Sequence, residues 1–221
     1  MFLTLDDYEK AARKRLPRAL YGFAANGSER GASVLANARS FERWSFLPQT
    51  LVDVSAVIQE RTLFGTTYAS PFGIAPMGGC ALFAYRADLA LAAAAHGERI
   101  PHILSSASSA PLEQAMEAAP GSWYQGYVPG NEDRIVKLLA RLRSAGVRVL
   151  VLTVDVPVAS NRDGDRRLGF TVPLRPSVML AADGLLHPRW LWSTFARTLL
   201  SDHRARWDPA GWTARSSRHS S

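Results

Sequence analysis

Four short β-rich runs follow one another beyond residue 70: FGIAPM at 72–77, HILSS at 102–106, WYQGYV at 123–128 and VLVLTVD at 149–155. Helix-compatible stretches at 88–96, 112–118 and 132–145 lie between them, the last closed by Gly146. Parallel neighbours cannot be joined by a tight turn; they need a crossover of a dozen or more residues, usually a helix. The alternation therefore predicts an α/β fold with a parallel sheet, either doubly wound or rolled into a (β/α)8 barrel. Both put chemistry at the carboxyl ends of strands. A closed barrel typically takes about 250 residues, and 221 residues with four visible units do not fit one.

Upstream the texture is helical. Thr4 and Asp7 have the spacing of a capping box, and the composition stays helix-forming to Leu16, where Pro17 interrupts. Pro17 then opens RALYGFAAN, for which Gly27 is the expected left-handed cap, and Ser28 opens a further helix to Arg43. Beyond Pro48, LVDVSAV and RTLFGTTY read as β-rich. After Asp155 come a polar loop, NRDGDRR, a proline-punctuated stretch, and a candidate amphipathic helix, HPRWLWSTFARTLL. The last 21 residues carry neither helical nor strand periodicity and read as a disordered or frame-shifted tail.

Charge narrows the partners. The net charge is +7, and of 26 basic residues only Lys10, Lys14 and Lys137 are lysines. The cations are interspersed with acids rather than clustered or interleaved with stacking aromatics, so no nucleic-acid partner is expected. Cys80 stands alone, which excludes an intramolecular disulfide and suits a reducing cytosol. MFLTLDDYEK lacks the basic start of a secretion signal, and no apolar run approaches the ~18 residues of a membrane span. A soluble, cytoplasmic chain is expected.

APMGG, LSS and YQGY fall at expected strand ends, LTVDVPVASNRDGDRR follows, and RLPRALYGFAANGSE precedes them all. Taken alone, an SS or TVD is ordinary strand-end polarity. In this order they resemble the FMN-dependent 2-hydroxy-acid dehydrogenases and oxidases, among them glycolate oxidase, lactate oxidase and mandelate dehydrogenase. The resemblance covers about residues 2–200. It implies the amino-terminal portion of such a protein: a helical segment over 1–48, about the first four βα units of a partial TIM barrel over 49–200, and the tail at 201–221. It also implies FMN as cofactor and hydride transfer from a 2-hydroxy acid, leaving a 2-oxo acid.

Carried over by position, Pro76, Met77 and Gly78 lie along the flavin ring, and Ser105, Gln125 and Thr153 hydrogen-bond it. Tyr127 is the substrate-side tyrosine, Asp155 the carboxylate that pairs with a catalytic histidine, and Arg162 an active-site arginine. The plainer readings are backbone satisfaction for Gln125 and Thr153, a core aromatic for Tyr127 and a surface ion pair for Arg162. Phe23 stands where many members have a carboxylate-binding tyrosine, and Ala107 where some have a bulky pocket residue, which suits an acid larger than glycolate. None of the five histidines sits in the family's SNHG-like context, and its general base, second arginine, flavin-contacting lysine and phosphate site have no counterpart here. A non-catalytic truncated product, or a module that self-associates through open sheet edges, is the rival expectation.

Overall fold

The computed structural model describes residues 1–127, 130–154, 158, 160–171 and 177–201. In chain order the elements are α1 (Leu5–Arg15), α2 (Arg18–Ala25), α3 (Ala32–Ser40), β1 (Arg61–Leu63), β2 (Thr66–Tyr68), α4 (Ala87–Gly97), β3 (Ile103–Ser105), α5 (Leu112–Ala118), β4 (Trp123–Gly126), α6 (Glu132–Ser144), β5 (Leu150–Leu152), α7 (Asp163–Arg167), α8 (Val178–Leu185), α9 (Pro188–Trp190) and α10 (Arg197–Ser201). The chain divides into two units, Met1–Val57 with Val156–Arg197, and Ile58–Asp155 with Thr198–Ser221.

The second unit holds the expected α/β pattern. β3, β4 and β5 form a three-stranded parallel sheet in that order, with Ser105 opposite Gln125 and Gln125 opposite Val151. The run at 72–77 contributes one parallel bridge, Ile74 to His102, rather than a strand. Pro71 and Pro76 cannot donate to a ladder, and Gly73 lies against Pro101, so pairing stops after one residue. One sheet face is sealed by α5 and α6. Leu104 from the sheet meets Leu112, Ala115 and Met116 of α5 and Leu142 of α6, all buried. Each such large side chain contributes about 1.5–3 kcal/mol on leaving water.

Local chemistry explains the helix limits. The Asn131 side chain accepts from Arg134 N–H to start α6. Gly146, at φ 81, ends it, with Val147 N–H returning to Leu142 O at 3.0 Å. RTLFGTTY forms the β1–β2 hairpin, whose central Phe64 and Gly65 both have positive φ, 49 and 79, matching the strand twist. LVDVSAV forms no strand; its side chains are exposed and have no facing partner strand among the described residues.

The first unit is helical. The Asp7 carboxylate accepts from Leu3 N–H at 2.9 Å and Thr4 N–H at 3.1 Å, which holds its carboxyl below the usual range and caps α1. Two expectations shift. α2 ends at Ala25 with Asn26 extended rather than at a left-handed Gly27; the left-handed glycine is Gly31, φ 71, which starts α3 four residues later than Ser28. NRDGDRR is not a loop throughout, because Asp163–Arg167 forms α7. α8 was also absent from the sequence reading; Ser177 caps it by accepting from Leu180 N–H. HPRWLWSTFARTLL is helical as expected, with Pro188 at its first turn and a π-helical stretch at Leu191–Ala196. The calls for a tail at 202–221 and for strand residues 128 and 155 lie outside the described residues.

Candidate functional site

A row of polar side chains crosses the carboxyl ends of the parallel strands. Side chains on one face of a strand alternate, so Ser105, Gln125, Val151 and Thr153 fall on the same side of the sheet. Ser105 Oγ donates to Gln125 Oε1 at 3.1 Å, and Gln125 Nε2 donates to Thr153 Oγ1 at 2.6 Å. Ser105 Oγ also accepts from Ala107 N–H at 3.1 Å. Gln125 is 4% exposed and Ser105 7%, so each bond is made where water cannot substitute. Tyr127 follows β4 directly and is half-buried.

The loop after Ile74 approaches the same strand ends. Gly79 N–H donates to Ala107 O at 3.0 Å, and a Cβ on Gly78 would stand 2.8 Å from the Ala107 methyl. Only glycine permits that approach. Ala107 therefore packs on the Gly78 backbone, while Met77 is 46% exposed and Pro76 half-buried.

Sequence reasoning missed what holds this loop pair. Asp88, in the first turn of α4, is 5% exposed and accepts from Ser108 Oγ at 2.7 Å, anchoring the segment that carries Ala107. Burial pushes its carboxyl pKa up, against the Ser108 bond that lowers it. The only outward signal was an acid in a helix's first turn. A cavity of about 10 Å³, room for one water, lies among Asp88, Cys80, His102 and Ser105. Burial, aided by Asp88, pushes the Cys80 thiol up to about 11. His102 Nδ1 lies 2.9 Å from Ser122 Oγ, and burial lowers its pKa. His96 is exposed on α4, and His187 Nδ1 meets Asp183 O at 2.7 Å; His203 and His219 are outside the described residues.

Phe23 and Arg162 meet in the helical unit. The Arg162 guanidinium donates to Phe23 O at 2.6 Å and Asn26 O at 3.3 Å, satisfying carbonyls at the end of α2. It also pairs with Asp165 at 2.5 Å and lies 4.8 Å over the Phe23 ring, which stacks on Phe170 at 4.4 Å. The row at the strand ends thus unites Ser105, Gln125 and Thr153, with Ala107 and Gly78 beside it; Phe23 and Arg162 form a separate cluster. Asp155 lies outside the described residues.

A parallel sheet with polar groups gathered at its carboxyl ends defines the class of α/β enzymes that build their sites there. Within that class the chain belongs to the FMN-dependent dehydrogenase family, which it matches over residues 12–219. It is 34% identical over 190 residues to a putative L-lactate dehydrogenase of Mycobacterium tuberculosis, covering 85% of this chain and 46% of that protein. It is 34% identical over 213 residues to 4-hydroxymandelate oxidase of Amycolatopsis orientalis, covering 96% and 58%. Among solved structures, the monotopic membrane protein (S)-mandelate dehydrogenase superposes with a TM-score of 0.80 at 36% identity, covering 89% of this chain and 52% of that one. The chain spans about half the length of these relatives.

FMN is the family's cofactor. The described residues fit its planar ring: Gly78 has no side chain, its backbone is exposed, and Gln125 Nε2 keeps a second hydrogen with no partner among the described residues.

Proposed function

We propose that this chain forms the ring-binding part of an FMN-dependent oxidoreductase that oxidises a 2-hydroxy acid to a 2-oxo acid. The observation that carries this reading is the Ser105–Gln125–Thr153 row beside the Gly78 loop. FMN, when bound, supplies the hydride acceptor. Pro76, Met77 and Gly78 offer backbone groups along the ring, and Ser105, Gln125 and Thr153 fix its polar edge. Tyr127 donates its hydroxyl toward the substrate oxygen, Asp155 stabilises a protonated base, and Arg162 brings a cation for the acid's carboxylate. Phe23 and Ala107 favour an acid larger than glycolate. Lactate, mandelate and 4-hydroxymandelate, which name the relatives, are the acids to try.

No histidine of the sequence has the family's catalytic context, so the chain by itself is proposed to bind flavin without turning over acid. A positioned base is worth roughly 10²–10⁴ in rate. The rival reading, an interaction module, draws on β5, where Leu150 is 44% and Leu152 56% exposed. Such a strand edge pairs with other chains. Titrating the purified chain with FMN separates the two: saturable quenching of flavin fluorescence that weakens about tenfold in Gln125→Leu supports the flavin reading, at ~1.4 kcal/mol for the lost contacts. No binding, or binding indifferent to Gln125, refutes it. Turnover of L-lactate or L-mandelate with an artificial acceptor refutes the catalytic silence.

No helix among the described residues is long and apolar enough to cross a membrane. We infer a cytoplasmic location with attachment to a membrane face, as named for (S)-mandelate dehydrogenase, because α8 and the segment after it expose apolar side chains.

A further inference from the structure

The helical segments at 177–201 have one side turned into the first unit and one left bare. Inward, Asp183 accepts from Ala19 N–H at 3.1 Å and its backbone oxygen meets His187. Gly184, Trp190 and Thr194 are buried, and Trp190 packs on Phe195 at 5.6 Å between ring centres. Outward stand Val178 at 88%, Leu185 at 69%, Leu186 at 77% and Trp192 at 76% exposure. Water-facing aliphatic side chains in such number mark a surface that meets something apolar.

Charge points to the occupant. Arg189 and Arg197 are exposed within 177–201, and Asp183, the one carboxylate there, is committed to Ala19 and His187. A second copy of the chain, related by a two-fold axis, would set these arginines against themselves. An anionic lipid surface meets both requirements: headgroups for the guanidinium groups, the acyl boundary for the aliphatic side chains, and an interfacial depth that suits tryptophan. Neither helical segment needs to cross, since eight residues of α8 span only about 12 Å.

We propose that Val178, Leu185, Leu186 and Trp192, flanked by Arg189, form a face that seats in the headgroup region of an anionic bilayer. The proposal rests on the membrane-attached location inferred above and assigns it to one surface. Flotation of the full chain with vesicles of phosphatidylcholine, alone or with phosphatidylglycerol, tests it. The chain should float with the anionic vesicles and much less with the neutral ones. Leu186→Ser with Trp192→Ser should cut the bound fraction by about tenfold, and Arg189→Glu by severalfold, with added salt weakening the wild type. Phe46→Ser with Leu47→Ser, equally exposed at 103% and 87%, should leave binding within about twofold. Circular dichroism checks that each variant folds, and Arg189→Glu alone carries the test if the double variant does not.

No flotation overturns the location and the face together. Flotation unchanged by both face variants overturns the face alone. A loss shared by the Phe46 and Leu47 control reduces the effect to general stickiness and overturns the proposal, and a dimer in sedimentation that the face variants dissolve assigns the surface to a second copy instead.

Discussion

A single methyl group at Gly78 tests the geometry of the loop that meets the strand ends. Its Cβ would sit 2.8 Å from the Ala107 methyl, where carbon pairs prefer about 3.5–4.0 Å. Neither atom ends a flexible side chain, and the Gly79 N–H bond to Ala107 O at 3.0 Å holds the two segments together. Overpacking of this kind costs about 1–3 kcal/mol. Stiffening the unfolded chain returns about 0.4–1 kcal/mol, because Gly78 has no positive φ to lose. The net loss for Gly78→Ala is therefore about 1–2 kcal/mol, or roughly 2–6 °C in Tm for a chain of this size. Ala107→Gly removes the opposing methyl, so the double variant should regain about 1–2 kcal/mol over the sum of the singles. Urea unfolding of the four proteins, followed by circular dichroism, measures the cycle. A neutral Gly78→Ala, or a double variant that is simply additive, would refute the close approach.

Gln125→Met keeps the volume but strands the buried Ser105 hydroxyl, and should cost about 1–3 kcal/mol in urea unfolding while weakening FMN binding; an unchanged midpoint counts against the row. Burial raises the Asp88 pKa, so the folded state holds that proton more tightly than the unfolded chain does. Stability should then fall as pH rises from about 3.9, the free aspartate value, through the raised folded value, and Asp88→Asn should flatten that slope. Parallel pH curves for the two proteins would exclude it. With its thiol pushed up to about 11, Cys80 should react with a disulfide reagent at pH 8 about a hundredfold slower in the folded than in the urea-unfolded chain, and equal rates would contradict its burial.

Elements with local signals were legible in the sequence. α5 begins and ends at the expected residues, and α6, with an asparagine cap, an amphipathic period and a terminal glycine, ends one residue early. What escaped depends on partners far along the chain. FGIAPM and LVDVSAV have strand composition, yet a strand exists only where another backbone pairs with it, and Ile74 finds His102 for a single bridge. α7 is five residues long and polar, and its place is fixed by the Arg162 and Asn26 contacts rather than by periodicity. For the site, the strand-end motifs marked Ser105, Gln125 and Thr153. They gave no hint that Asp88 and Ser108, twenty residues apart, brace the loop beside them.

The row across the strands has a direction as well as a place. Ala107 N–H gives to Ser105, Ser105 gives to Gln125, and Gln125 gives to Thr153, so every proton points the same way. Donors aligned head to tail polarise one another. The row is thus a small fixed dipole whose positive tip is the Thr153 hydroxyl hydrogen, sharpened as a donor by everything behind it. Gln125→Glu would leave an ionised carboxylate that only accepts, so Thr153 would turn its proton inward and present lone pairs instead. One amide nitrogen decides whether the end of the row meets an arriving atom as a weak acid or as a weak base.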